Sequence, residues 1–446
     1  MNSYVRILNY NANADEIVSA GGRISTMEGT AEEIYARSCD AGTEKNRRLI
    51  GKVLSSGHTS VLEHISVNLA FENVSVFVEQ FIIEFRLASF TVKSRRYVDF
   101  RSAGYYHPEL PEAAAPVFDA QVQRLFGIYD ELLQAGVPKE DARFVLPYCF
   151  CSNFFCTMNA RELVHLMNEM VHGRGSRYPE IRALGESLYA QCAQELPYLA
   201  LHKERAYAPV DLGLTGEPIT EGAEPAVLLA STEHPESVIT RAAFLELGLA
   251  PKELEPEEQK KLLAALLQRP RKRELEQANF TLQLNGLSLA ALTHLTRHRM
   301  QSLVVPELVK TCSYERFVLP QSVVQSGCEE LYRSAFRTAG ETAARLAELG
   351  VRPEERSYLL LSGQTLPVIL TMNAGELYTF FRLRCCSRAQ WEIREIATAA
   401  LRVLRTAHPD LFGLYGPTCF VTGVCPEGRM TCGQSAAIRE RFSSEL

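Results

Sequence analysis

The sequence has no stretch approaching 18 uninterrupted apolar residues, the length that a membrane-crossing helix demands. Its opening residues, MNSYVRILNYNANADEIV, lack the charged-then-apolar layout of a secretory leader. Positive charge is also short: 47 Lys and Arg against 53 Asp and Glu leave a net charge of −6. No whole-chain basic footprint for duplex nucleic acid remains, although a local cationic pocket is still allowed. These absences predict a cytoplasmic chain with neither membrane nor nucleic acid as partner. The 12 cysteines are then expected to be mostly reduced and buried rather than a disulfide scaffold. Apolar residues at 46% and charged residues at 22% are ordinary globular proportions, which argues against a disordered or fibrous chain. At about 150 residues per domain, 446 residues allow two to four domains.

The chain repeats itself. TMNAREL begins at Thr157 and TMNAGEL at Thr371, an offset of 214. Ser89 in FRLAS and Ser302 in HRMQS are 213 apart, and Glu180 in YPEIR and Glu392 in QWEIR are 212 apart. Three landmarks in one order at nearly constant offset indicate duplication of a whole domain, the period being too long for a solenoid. The stretch AYAPVDLGLTGEPITEGAEP is rich in Pro, Gly and acid without apolar periodicity, so it reads as a linker. The expected division is a first domain at 1–206, a linker at 207–224 and a second domain at 225–446.

Each copy has the same coarse outline. A short alternating strand (Ser66 to Phe71; Phe280 to Leu284) precedes an apolar helix and a basic loop. A second helix opens near TMNA, and a third runs through the EIR segment, where Trp391, Ile393, Ile396, Ala400, Leu401 and Leu404 keep helical spacing. Strands and helices without regular βαβ alternation predict an α+β fold.

The densest polar cluster is THLTRHR, Thr293 to Arg299. Leu289, Leu292 and Leu295 mark an apolar stripe, and His294, Arg297 and His298 then fall at i, i+3 and i+4 on one helical face. An anionic ligand would account for them; so would a solvated helix C-terminus that favours positive charge. In the first copy Glu84 and Phe85 stand where Arg297 and His298 stand in the second. Downstream, however, come Lys93, Ser94, Arg95 and Arg96, a hydroxyl and forked guanidiniums suited to a phosphate. The second copy has Pro306, Glu307, Leu308 and Val309 there. Each copy thus keeps what the other lost, which points to a ligand site shared between them.

These residues resemble the flavin-dependent thymidylate synthase family. The first copy carries GHTSVLEH (Gly57 to His64), RLASFTVKSRR (Arg86 to Arg96), ARFVLP (Ala142 to Pro147) and NAREL (Asn159 to Leu163). The second carries RHRMQS (Arg297 to Ser302), NAGEL (Asn373 to Leu377) and RLRCCSRAQWEIR (Arg382 to Arg394). The resemblance implies two tandem, diverged copies of that family's domain. It also implies FAD, a uridine nucleotide acceptor (dUMP, giving dTMP), methylenetetrahydrofolate as carbon donor and NADPH as reductant. The family's homotetramer implies a homodimer here that mimics it. Carried over by position, Arg297, His298 and Arg299 would contact flavin, with Asn373, and with His165, Ser60 and His58 from the first copy. Arg384 would be catalytic, beside the pyrimidine. Ser94, Arg95, Arg96 and Arg143 would hold the nucleotide phosphate, with Arg297 and His294 also near the nucleotide. No metal is implied.

The chain departs from the family pattern in places. His294 stands for a Gln or Glu, Val92 for a Glu, Arg95 for a Gly and Gly375 for an Arg, and the second copy reads RPRKRELEQAN where the first has GHTSVLEH. These departures keep two alternatives in view: another uridine nucleotide as acceptor, or a non-catalytic flavin- or nucleotide-binding paralogue.

Other signals have plainer readings. Cys419, Cys425 and Cys432, at gaps of five and six residues, are wide for zinc and read as loop thiols. Cys385 and Cys386 read as packing, and Cys149, Cys151 and Cys156 as core. His58 and His64 flank a strand and read by themselves as structural. HGRGSR, with His172, Arg174 and Arg177, reads as a solvated basic turn. Glu255 to Gln277 reads as one amphipathic helix whose charges face water.

Overall fold

The computed structural model describes residues 2–202, 212–217 and 219–444. Two four-stranded antiparallel sheets carry the repeat. The first comprises β1 (Tyr4–Tyr10), β2 (Ser66–Ser75), β3 (Ala88–Val92) and β4 (Cys151–Asn159), in the order β1-β2-β4-β3. The second comprises β5 (Ala226–Ser231), β6 (Asn279–Ser288), β7 (Gln301–Val304) and β8 (Thr365–Asn373), in the order β5-β6-β8-β7. Both pairings bring the same landmarks opposite each other, Ser66 to Asn159 and Asn279 to Asn373. Alternation explains the inner strands: Val67, Leu69 and Phe71, like Phe280, Leu282 and Leu284, are buried every second residue. The strands are longer than the alternating stretches because each passes through a bulge before its helix. At the bulge Asn73 takes φ 53° and Gly286 takes φ 66°, a region that only Gly and Asn enter readily.

Compact units do not follow the chain order throughout. One unit holds Met1–Gly216 with Leu319–Ser362, and the other holds Glu217–Val318 with Gly363–Leu446. The helix Glu329–Glu348, from the second half of the chain, lays Tyr332, Ala335, Phe336 and Ala339 into the first unit. There it packs on Ala115–Gln134, and Gln121 Nε2 donates to Thr338 Oγ1 at 3.0 Å. Tyr148 N donates to Leu360 O at 2.7 Å and Cys149 N to Tyr358 O at 2.8 Å in the same unit. Of the linker stretch, Tyr207 lies outside the described residues. Residues 212–217 and 219–224 form neither helix nor strand. Glu221 nevertheless accepts from Thr365 Oγ1 at 2.8 Å and Glu224 O from Asn285 Nδ2 at 2.7 Å, so the linker's end is fastened to the second unit.

The EIR glutamates have a shared structural task. Glu392 is 4% exposed and accepts from Ser288 N at 2.7 Å and Ser288 Oγ at 2.6 Å. Ser288 in turn caps the helix Leu289–Leu295 by accepting from Ala291 N at 3.0 Å. Glu180 and Ser75 repeat the arrangement at the helix Val76–Ile82. Ser288→Ala removes a donor from a buried carboxylate and the cap together, so unfolding in urea is expected to show a loss of about 1–3 kcal/mol. Unchanged stability would contradict this role.

The expected helix over Glu255 to Gln277 is not continuous. Pro256–Gln268 is helical, but Pro270 follows and Leu275–Gln277 is a separate 3-10 turn. Nor do all its charges face water: Glu274 is 3% exposed and paired with Arg269. Among the described residues no helix is long and apolar enough to cross a membrane. All 12 cysteines are free of disulfides, with Cys149, Cys151 and Cys156 in the core.

Candidate functional site

The Arg-His-Arg segment does not continue the helix. Leu289–Leu295 ends before it, because Gln301 Nε2 donates to Leu295 O at 2.6 Å and the chain must enter β7. The i, i+3, i+4 face predicted for His294, Arg297 and His298 is therefore absent. Instead the turn sends alternate residues in opposite directions. Arg297 and Arg299 are exposed, whereas His298 is only 5% exposed.

His298 joins a chain of hydrogen bonds. Its Nδ1 lies 2.9 Å from Glu376 Oε1, and Arg384 Nε donates to its Nε2 at 3.0 Å. A guanidinium cannot accept, so Nε2 is bare and Nδ1–H donates to the carboxylate. Burial holds the imidazole below the ordinary histidine value; Glu376 opposes this and the Arg384 charge reinforces it. His298 is thus a neutral ring, oriented at both nitrogens. Arg384 Nη2 also donates to His294 O at 2.9 Å, which fixes the guanidinium in two directions. Phe380 meets the His298 ring edge-on at 5.0 Å.

Beside this network lies a cavity of about 400 Å³ lined by Arg271, Lys272, Arg273, Asn373, Glu376, Tyr378 and Arg382, among others. The Lys272 ammonium and the Arg382 guanidinium stand 5.5 and 5.2 Å from the Tyr378 ring centre. Burial, and then the Arg382 charge, hold the Lys272 amine below its ordinary value. Such a cavity suits an anionic group. Asn373 lines it while its Oδ1 accepts from Glu376 N at 2.8 Å, capping the helix Ala374–Arg384.

The first unit has a cavity at the matching place, about 370 Å³, lined by Glu84, Phe85, Arg86, Glu162, His165 and Arg174, among others. Phe85 stands for His298 and Glu84 pairs with Arg174 at 2.5 Å. Arg174 is exposed, as a solvated turn requires, and makes this ion pair at the surface. His165 Nδ1 lies 3.7 Å from Glu162 Oε2, and that neighbouring carboxylate holds the imidazole above the ordinary histidine value. His58 and Ser60 are exposed and are not among the residues lining this cavity. They border or belong to the turn Thr59–His64, which packs against the helix Ala160–Val171.

The phosphate set divides. Ser94 O accepts from Val98 N at 2.9 Å, which closes a turn. Arg96 Nε donates to Glu140 Oε2 at 2.6 Å and Arg143 Nε to Glu140 O at 3.0 Å, so one residue gathers Arg96 and Arg143. Arg95 departs from expectation. It is 5% exposed and pairs with Glu79, whose other oxygen accepts from Ser152 Oγ at 2.5 Å. Glu79 sits fully buried on the apolar helix Val76–Ile82 and needs a cation there.

Sequence reasoning missed Glu376, Glu140 and Glu79. The signal for Glu376 was present: an acid three residues after the capping Asn373. A lone Glu in the apolar run VFVEQFI likewise signalled a buried pair.

The description "Thymidylate synthase complementing protein" belongs to the family whose profile matches residues 6–198 and again 227–410. A flavin-dependent thymidylate synthase of Geobacter sulfurreducens is 34% identical over 224 residues, spanning 48% of this chain and 96% of the relative. One of Clostridium tetani is 30% identical over 238 residues, spanning 48% and 95%. Among solved structures, a UMP/dUMP methylase of Streptomyces cacaoi bound with 5-Br dUMP matches at a TM-score of 0.38 and 23% identity, over 45% of this chain and 93% of that one. With two regions matched in tandem, each built on the same four-stranded order, the chain belongs to the thymidylate synthase complementing protein family and carries two diverged copies of its α+β domain.

Proposed function

We propose that the chain is an FAD-dependent methyltransferase that converts dUMP to dTMP, using methylenetetrahydrofolate and NADPH, and that each working site draws on both copies. The observation that carries this reading is the division of labour in the sequence: Ser94, Arg96 and Arg143 survive in the first copy, and Arg297, His298, Arg299 and Arg384 in the second. Independent decay would strike the two sets at random, whereas one set survives in each copy. A homodimer would then stand in for the family's tetramer.

The donor set fits the cofactor. Exposed Arg297 and Arg299, with the cationic cavity at Lys272 and Arg382, offer fixed charge to a dinucleotide diphosphate. FAD, when bound, supplies the redox chemistry that a folate-borne carbon needs to become a methyl group. Arg96 and Arg143 would hold the nucleotide phosphate. Arg384, held by His298 and His294 O, would place a positive charge beside the uracil and stabilise negative charge developing on the ring. A neutral His298 matters here, because an imidazolium would repel Arg384 and could not accept its hydrogen bond.

The purified protein is expected to be yellow, to bleach with NADPH without oxygen, and to transfer labelled carbon from methylenetetrahydrofolate to dUMP. Bound flavin without transfer to dUMP would contradict the assignment; transfer to UMP alone would reassign the acceptor. Arg96→Ala is expected to raise the KM for dUMP by the loss of a charge-assisted bond, about 1.5–3 kcal/mol. An unchanged KM would remove Arg96 from the phosphate site.

A further inference from the structure

The family match ends at residue 410, and the tail that follows is built onto the second unit around a buried arginine. Arg405 lies on the helix Trp391–Ala407 and is 9% exposed. Its donors go to three carbonyls of the chain that follows. Nε donates to Phe412 O at 3.0 Å, Nη1 to Phe442 O at 2.7 Å and Nη2 to Tyr415 O at 2.6 Å. Its Cζ also lies 5.6 Å from the Phe420 ring centre and 5.8 Å from that of Phe442. Gly416 has no room for a side chain, since a Cβ there would stand 2.7 Å from Phe420 and 3.1 Å from Phe442. The start of the tail and its last helix, Ser435–Ser444, are thus closely packed about one guanidinium.

The tail reaches the helix Ala374–Arg384 at both ends. At the first end, fully buried Tyr415 donates its hydroxyl to Ala374 O at 3.2 Å. Its ring meets Tyr378 edge-on at 5.5 Å, and Tyr378 is the ring that Lys272 and Arg382 approach in the cationic cavity. At the second end, Thr418 Oγ1 donates to Arg382 O at 3.3 Å. That carbonyl belongs to the last turn, where helical carbonyls have no partner within the helix. Arg384 stands two residues further on.

A tail that only added stability could fasten anywhere on the unit and would suit either copy. Counted from Glu180 and Glu392, the first copy has exposed Ala193 at the place of Arg405. Counted from the two TMNA strings, it has Met170 at the place of Arg384. The copy with no arginine to aim therefore also lacks the arginine that anchors the tail. Arg384 serves two partners, His298 Nε2 and His294 O, and a fork held in two directions tolerates little movement of its helix. We propose that Tyr415 and Thr418, anchored through Arg405, are positioning residues that hold this helix at both ends and so keep Arg384 on His298 and His294 O. The proposal rests on the role given to Arg384 above.

The test is the full chain with Tyr415→Phe and Thr418→Val together, which removes both hydroxyls while keeping the ring and the branched side chain. Isotope labelling at arginine gives an NMR signal for the Arg384 Nε–H, assigned by its loss in Arg384→Ala. In the native chain this proton is expected to exchange slowly with water. In the double variant it is expected to exchange about tenfold faster, the equivalent of one net hydrogen bond. The kcat for dUMP is expected to fall about tenfold with little change in KM, a split that loss of stability alone would not produce. Unchanged exchange in the double variant would overturn the proposal whatever happens to kcat, as would faster exchange at an unchanged kcat. If the native chain transfers no carbon to dUMP, the activity reading falls and the exchange measurement still decides: faster exchange upholds the hold of the tail on Arg384, and unchanged exchange overturns it.

Discussion

Arg384→Ala is expected to lower kcat for dUMP methylation by about 10²–10³, equivalent to about 2.7–4 kcal/mol of transition-state stabilisation, with far less change in KM. Arg384 is fixed before substrate arrives, by His298 Nε2 at 3.0 Å and His294 O at 2.9 Å. A donor held this way meets charge that appears only as the reaction proceeds, so its loss falls on kcat. The variant also leaves His298 Nε2 without that donor, freeing the neutral ring to exchange its proton between nitrogens. Arg384→Lys keeps the charge but not the fork that serves both partners, and is expected to recover little. Steady-state kinetics at saturating folate decide the matter: a change confined to KM would contradict the assignment.

Arg95→Ala is expected to destabilise the folded chain by about 3–5 kcal/mol, because it leaves Glu79 charged and buried without its cation. Ser152 Oγ alone cannot compensate. Denaturant unfolding measures the loss, and replacing both members, Arg95→Met with Glu79→Met, is expected to recover much of it. Full stability in Arg95→Ala together with a raised KM for dUMP would return Arg95 to the phosphate site.

The repeat was legible from spacing alone, and the two sheets share strand order, register and bulge position. The elements that sequence placed well have strong local signals: alternating apolar residues in β2 and β6, and an Asn cap at each TMNA. The Arg-His-Arg turn was misread because periodicity reports spacing and not where a helix stops. Its end depends on Gln301 reaching back to Leu295, a contact between residues with no pattern of their own. Arg95 was misread because a run of basic residues carries no mark of which one turns inward; Glu79, sixteen residues earlier, decides that. The packing of Glu329–Glu348 into the first unit was equally invisible, since an amphipathic face does not name its partner.

The central claim is that the two copies contribute different halves of one site. A crystal structure with FAD and dUMP bound tests it most directly. The account predicts the nucleotide phosphate on Ser94, Arg96 and Arg143 of a first copy and its pyrimidine beside Arg384 of a second. A nucleotide held, phosphate and ring alike, by residues of a single copy would contradict it.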